Sequence, residues 1–207
     1  MIEFLGHLFS GILFLIYSCY TIYSYNYNHK FNAIVSITMA TIGLVGEIFN
    51  GFNGEHIIIH LIFTVCFISE LLVQNEDTVD IFKYYYPICI GFIGVLFIFH
   101  TNPLYIVYMY HMISGVLLIL ISICMTSIVY NHNKNNLGVD ILAILTSING
   151  CWWISMSRWF FEKREEIHDH HITHYLITEF GKIFISVIFL YMLIKVISKY
   201  RKNQDVN

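Results

Sequence analysis

Charge is scarce in this chain. Of 207 residues, 12% are Asp, Glu, Lys or Arg, against about 25% in an ordinary soluble domain. Its few cations form no large basic patch and the net charge is -3, so no nucleic-acid partner is expected. Proline occurs only as Pro87 and Pro103, which leaves long stretches where nothing interrupts a helix. Cys19, Cys66, Cys89, Cys124 and Cys151 form no C-x-x-C pair and fall inside apolar segments. A disulfide framework or a thiolate zinc knuckle is therefore not expected, and the thiols are assigned as small buried hydrophobes. The sequence also lacks an N-x-S/T sequon, a phosphate loop, a dinucleotide fingerprint and a Ser-His-Asp order. None of the usual marks of a soluble enzyme is present.

What the chain has in excess is apolar surface. Hydrophobic residues make up 57% of it, and they collect into seven runs: Leu8 to Tyr25, Ala33 to Phe49, Ile57 to Val73, Tyr84 to Phe99, Leu104 to Tyr130, Leu137 to Phe160, and Ile172 to Ile197. A helix needs about 20 residues to cross a bilayer. An isolated strand in lipid would leave its backbone groups unpaired, and the runs do not alternate as barrel strands do. The sequence therefore predicts an all-α, polytopic membrane protein: one seven-helix transmembrane bundle over residues 1–200 with a short cytoplasmic tail over 201–207. The second to fourth runs are short, so their helices are expected to extend into flanking polar residues. The first run has no basic n-region and is expected to be a retained span. Pro103 suits the first turn of the fifth helix.

Seven spans put the termini on opposite faces. The face that carries the N-terminus (face A) has Arg158, Lys163, Arg164 and Lys182 near it. The other (face B) has Lys30, Lys83, Lys134, Lys195, Lys199, Arg201 and Lys202. This bias predicts that face B and the C-terminus are cytoplasmic.

Histidine is distributed the other way. His7, His56, His60, His100, His111, His168, His170, His171 and His174 all map to face A or its half of the membrane, and only His29 and His132 lie near face B. His56 and His60 share one side of a helix at i and i+4, as do His170 and His174. His111 lies roughly 12 Å beyond Pro103 by helical rise. Imidazole is the usual ligand of zinc, and carboxylate completes such sites. The candidate metal ligands are therefore His7, Glu47, His56, His60, His100, His111 and His174, with zinc the metal they suit. The same residues suit a network of interhelical hydrogen bonds, proton transfer, or a polar ligand such as a lipid headgroup. All of these readings stay open at this stage.

Other polar residues have structural assignments. Glu70 lies about 21 Å from His56 along its helix, too far for one site; pairing with Lys83 or snorkelling is expected. Glu179 and Lys182 are spaced to neutralise one another. Gly150 permits close helix approach. Trp159 fits an interface belt, and Trp152 and Trp153 are assigned to packing, with a ligand-facing aromatic wall as the alternative.

Several segments, in order, resemble the transmembrane protein 45 family. "FLGHLFSG" carries Gly6, His7 and Gly11, and "TIGLVGE" carries Gly43 and Glu47. "EHIIIHLIFTVCFISE" supplies His56 and Glu70, and "GVLFIFH" supplies Gly94, Leu96, Phe97 and His100. "NGCWW" and "THYLI" supply Gly150, Trp152, His174, Tyr175 and Leu176. The resemblance covers essentially the whole chain and implies seven spans without implying an agreed enzymatic mechanism. Two positions depart from it: Ile93 stands where the family tends to carry Glu, and His60 where it usually has Tyr.

The function expected from these readings is that of an integral membrane protein with a histidine-lined polar or metal-binding cavity toward face A. Its partners would be membrane lipids and a small polar ligand or metal. The alternatives are a proton-coupled transporter or channel, a structural or partner-binding membrane protein, and an intramembrane zinc-dependent hydrolase, in which three protein ligands would leave a position for activated water.

Overall fold

The computed structural model describes residues 2–24, 28–50, 54–73, 83–100, 104–131, 136–162 and 169–204. Among the described residues there are seven α-helices and no strand: α1 (Ile2–Ser24), α2 (His29–Asn50), α3 (Gly54–Val73), α4 (Tyr85–Phe99), α5 (Tyr105–Tyr130), α6 (Asn136–Glu162) and α7 (Asp169–Gln204). The all-α class and the seven helical segments follow the apolar runs. The helices overshoot those runs at most ends, because backbone hydrogen bonding continues past the last apolar side chain. α4 and α5 do not: α5 keeps within its run, and α4 stays at 15 residues, about 22 Å by helical rise. Pro87 sits in its first turn, where a missing N–H leaves no intrahelical bond unmade. Pro103 and the segment containing Lys163, Arg164 and His168 lie outside the described residues.

Among the described residues, five helices are long and apolar enough to cross a membrane, and α2 and α4 contain shorter apolar stretches. The distribution of side chains agrees. On α3, Ile58, Leu61, Val65, Ile68 and Leu72 form an exposed aliphatic stripe, and on α4 Ile88, Phe92, Val95 and Phe99 do the same. The polar groups are inside: Ser18, Asn32, Glu70, His111, Ser114 and Asn149 are all buried. A soluble protein would not expose such stripes while burying its scarce polar residues. The chain is a multi-pass integral membrane protein. Three expectations change here. Of the five thiols only Cys66 is buried; Cys89, Cys124 and Cys151 are half-buried and Cys19 is exposed. Glu70, at 1% exposure, does not snorkel to the surface. Trp159 is buried and edge-on to Phe160 rather than set in an outer belt.

The chain divides into two compact units, Met1–Glu166 and Ile167–Asn207. In the first, each of α1 to α6 packs on its neighbour in sequence, and α6 returns onto α1 to close a ring. Short connections make sequential helices antiparallel neighbours. The seams α1–α6 and α4–α5 are the most extensive, and both are built on small residues. A Cβ placed on Gly11 would lie 2.7 Å from the Gly150 carbonyl oxygen, and one on Gly150 would lie 2.8 Å from that of Gly11. Gly94 and Gly115 meet in the same reciprocal way, at 2.7 and 2.5 Å. Without side chains at these points the backbones touch, which is how helices associate tightly where no hydrophobic force draws them together. Serines extend both seams. Ser18 Oγ donates to the Ala143 carbonyl at 2.7 Å and lies 2.6 Å from Ser147 Oγ, and Ser122 Oγ donates to the Pro87 carbonyl at 2.6 Å. Between α5 and α6, the buried Trp152 indole donates to the Tyr110 carbonyl at 3.0 Å.

The second unit is α7, 36 residues long, about 54 Å by helical rise. That exceeds a hydrocarbon core of about 30 Å, so part of the helix projects beyond it. Lys182 Nζ donates to Glu179 Oε1 at 2.8 Å, the pair expected from their spacing.

The glycine crossings give a graded prediction. Gly150→Val, whose side chain meets backbone atoms of α1, should lower stability by about 1–3 kcal/mol. Gly6→Ala and Gly46→Ala, whose added carbons meet nothing within 4 Å, should leave stability unchanged or raise it by up to about 1 kcal/mol through helix propensity. Thermal unfolding of the three variants in one detergent checks the order; equal losses would sink it.

Candidate functional site

The face A end of the six-helix unit is rich in imidazole because four helices deliver it there. His7 lies in the second turn of α1, His56 and His60 in the first turns of α3, and His111 in the second turn of α5. His100 caps the C-terminus of α4 with extended backbone, its N–H directed to the Phe97 carbonyl at 3.4 Å. Trp153 enters from α6. The ring centroids form a chain across the bundle. His7 is 5.9 Å from His111, His111 is 4.7 Å from His100, and His100 is 5.2 Å from His56. Aromatic rings pack around this chain: Trp153 stacks on His7 at 5.0 Å, and Phe97 lies parallel to His111 at 5.5 Å.

His60 belongs to the same end by a different contact. Its imidazole occupies the space beside Gly43 of α2, and any Cβ at residue 43 would overlap the ring. The absence of a side chain on α2 thus makes the place for a ring from α3. This contact joins the α2–α3 pair where no reciprocal glycine crossing exists among the described residues.

Below these rings lies a cavity of about 530 Å³, lined by α1, α2 and α3 and by Phe97, His111, Leu118 and Trp153. Its size is that of small-molecule sites, which run about 300–1,000 Å³. The walls are mostly apolar, with Phe14, Met39 and Phe63 among them, and the polar rings His7, His56, His60, His111 and Trp153 are concentrated at the face A end. Two of those rings are nearly enclosed: His111 is 4% exposed and Trp153 is 7% exposed. His111 Nδ1 and Trp153 Nε1 have no hydrogen-bond partner among the described residues. The same is true, away from the cavity, of side-chain atoms of Asn32, Ser36, Asn149 and Trp159.

Of the seven candidate ligands, the structure brings together His7, His56, His60, His100 and His111. The side chain of Glu47 lies outside what is described. His174 is exposed and belongs to α7, the other unit. Among the described residues, no three His, Cys, Asp or Glu side chains are arranged to hold a metal ion. Sequence reasoning gave Trp153 a packing role first, but it is a cavity wall. Its spacing from Gly150 was the available signal: three residues on, it lies on the side of α6 that meets α1. Gly43 carried no sign of its contact with His60, which joins different helices.

The Gly43–His60 contact predicts strong coupling. Gly43→Ala should destabilise the protein, and His60→Ala should relieve most of that loss. The interaction energy should fall at the upper end of the 0.5–3 kcal/mol range usual for touching residues, about 2 kcal/mol. A double-mutant cycle measured by denaturation checks this, and additive losses would refute the contact.

No family model matches this chain, and no curated protein does.

Proposed function

We propose that this membrane protein binds a small molecule in the histidine-ended cavity of its six-helix unit. The observation that carries the proposal is the cavity itself, about 530 Å³ with apolar walls that include Phe14, Met39 and Phe63 and with the rings of His7, His56, His60, His111 and Trp153 gathered at one end. A cavity of that size, apolar along most of its length and polar at one end, suits a small molecule with a polar end.

We also assign the chain to the transmembrane protein 45 family. Support comes from where the resembling residues fall: Gly11, Gly94 and Gly150 are helix crossings, Gly43 makes room for His60, and His7, His56 and His100 belong to the chain of imidazoles. A sequence pattern that selects crossings and cavity rings together has a structural reason to persist. The Lys and Arg bias supports a cytoplasmic C-terminus in the same assignment.

The test separates ligand from packing by the sign of a stability change. His111→Phe keeps a ring against Phe97 and removes both nitrogens. Without ligand, this variant should be as stable as the parent or more stable by about 1 kcal/mol, since an unpaired polar atom is gone. Ligand affinity should fall about tenfold, the equivalent of one hydrogen bond worth about 1.4 kcal/mol. Trp153→Phe should weaken binding similarly. Native mass spectrometry of the purified chain reads the adduct directly, and thermal unfolding reads stability. A variant that unfolds more readily and retains the adduct in full would sink the proposal.

A further inference from the structure

α7 carries charge where a membrane-spanning helix has least reason to. Its apolar span runs from Ile172 to Val196, and the two lysines within it are Lys182 and Lys195. They stand about 20 Å apart by helical rise, against a hydrocarbon core of about 30 Å. At least one of them therefore lies inside the core. With Lys195 at the face B edge, both Lys182 and its bonded partner Glu179 are inside. Lys195 Nζ has the Tyr191 ring one turn back, 5.5 Å from its centroid. Lys182 is more open: its side chain is 66% exposed, and that of Glu179 is 24% exposed. Charges inside a membrane are costly, and they face protein or water rather than lipid. The bond from Lys182 Nζ to Glu179 Oε1 at 2.8 Å uses one of three ammonium donors and one of two carboxylate oxygens. The two charges belong to a longer stripe. Tyr175, Glu179, Lys182, Ser186, Phe189 and Leu193 follow one another at alternating steps of four and three residues. That spacing puts them on one side of the helix in the pattern of a coiled-coil seam. The stripe is about 27 Å long, close to the thickness of the core, and Ser186, Phe189 and Leu193 on it are exposed.

We infer that two copies of this chain associate in the membrane through this stripe of α7, as a parallel pair in which Lys182 of each copy donates to Glu179 of the other. Copies inserted in one membrane run in the same direction, so a two-fold axis along the membrane normal sets identical residues at identical depth. Knobs-into-holes packing then brings each seam side chain against the neighbouring layers of the facing helix. Glu179 and Lys182 are adjacent layers, about 4.5 Å apart along the axis, within reach of a lysine stem. Each acid meets a base and each base an acid, and no net charge is left in the hydrocarbon. One charge of each sign makes the stripe complementary to itself. A helix of another protein would have to present the same two charges at the same depth, and a lipid tail offers neither donor nor acceptor. One turn deeper the small Ser186 lets the two backbones approach and supplies a hydroxyl from each copy. Polar residues in such a seam fix the register and the number of strands at some cost in stability.

The full chain in phosphatidylcholine vesicles tests this. On oxidation with copper phenanthroline, Ser186→Cys should give a disulfide-linked dimer at least about tenfold above the background of the parent chain. Ile177→Cys, exposed on the opposite side of α7, should stay at background. Glu179→Lys and Lys182→Glu each set like charges together in the seam. Each alone should dimerise about tenfold more weakly, the worth of one interhelical polar contact. Co-expressed with different tags, these two variants should form a mixed pair at parental affinity, since each copy supplies the charge the other lacks. The mixed pair separates a contact between copies from the bond within one helix, which both variants lose. Both substitutions in one chain restore the two charges in exchanged places, and that chain should dimerise like the parent. A parent that is monomeric at every protein-to-lipid ratio overturns the inference, as does equal cross-linking at residues 177 and 186. So does the absence of the mixed pair, or a link from residue 186 to a native cysteine of the same chain, which would make the six-helix unit the occupant of the stripe.

Discussion

Two points of backbone contact determine the rest of the six-helix unit. Gly11 against Gly150 and Gly94 against Gly115 bring α1 onto α6 and α4 onto α5 with no side chain between them. In hydrocarbon, apolar side chains gain nothing by leaving lipid for protein, so close packing and polar contacts must hold helices together. The glycines supply the first, and Ser18, Ser147 and Ser122 supply the second beside them. α5 and α6 are joined in turn through Trp152 and Tyr110. Four of the six helices thus form a tight group, while α2 and α3 are held more by one another, through His60 in the notch at Gly43. The cavity lies where these two arrangements meet.

That location accounts for its mixed character. The tight side contributes His7, His111 and Trp153, all near face A, where the chain of imidazoles crosses from α1 to α3. The looser side contributes mostly aliphatic and aromatic wall from α2 and α3. A membrane protein has no incentive to bury a polar atom in such a place without a partner, because the unfolded helix in lipid finds partners of its own. The polar end is therefore a departure from what packing alone selects, and departures of that kind concentrate at functional sites.

Much of this was legible in the sequence, and the part that was not has a consistent cause. Each of the seven spans lies within seven residues of its helix at either end, because a run of apolar side chains and helical backbone bonding are both local. The grouping of His7, His56, His60, His100 and His111 at one end was also legible, since antiparallel order and rise per residue place them there. What sequence order does not carry is which helix touches which beyond the next one. The closure of α6 on α1 puts Trp153 beside His7, and neither residue announces it. Gly43 is one glycine among twelve, yet among the described glycines it alone has an imidazole lying where its side chain would be. The interface role given to Trp159 and the snorkelling role given to Glu70 failed for the same reason: depth along a helix was readable, and the direction around it was not.

His60 shows how the two kinds of information combine. Helical spacing paired it with His56 and suggested a self-contained metal motif, one turn apart on a single face. In the fold the two rings serve different neighbours: His56 meets His100 of α4, and His60 fills the space left by Gly43 of α2. They flank α3 and tie it to the helices on either side. An i, i+4 pair on a helix with neighbours to both sides can act as two separate fastenings as readily as one chelate. The neighbouring small residue distinguishes these cases. A ring seated against a glycine on the next helix is held there by shape.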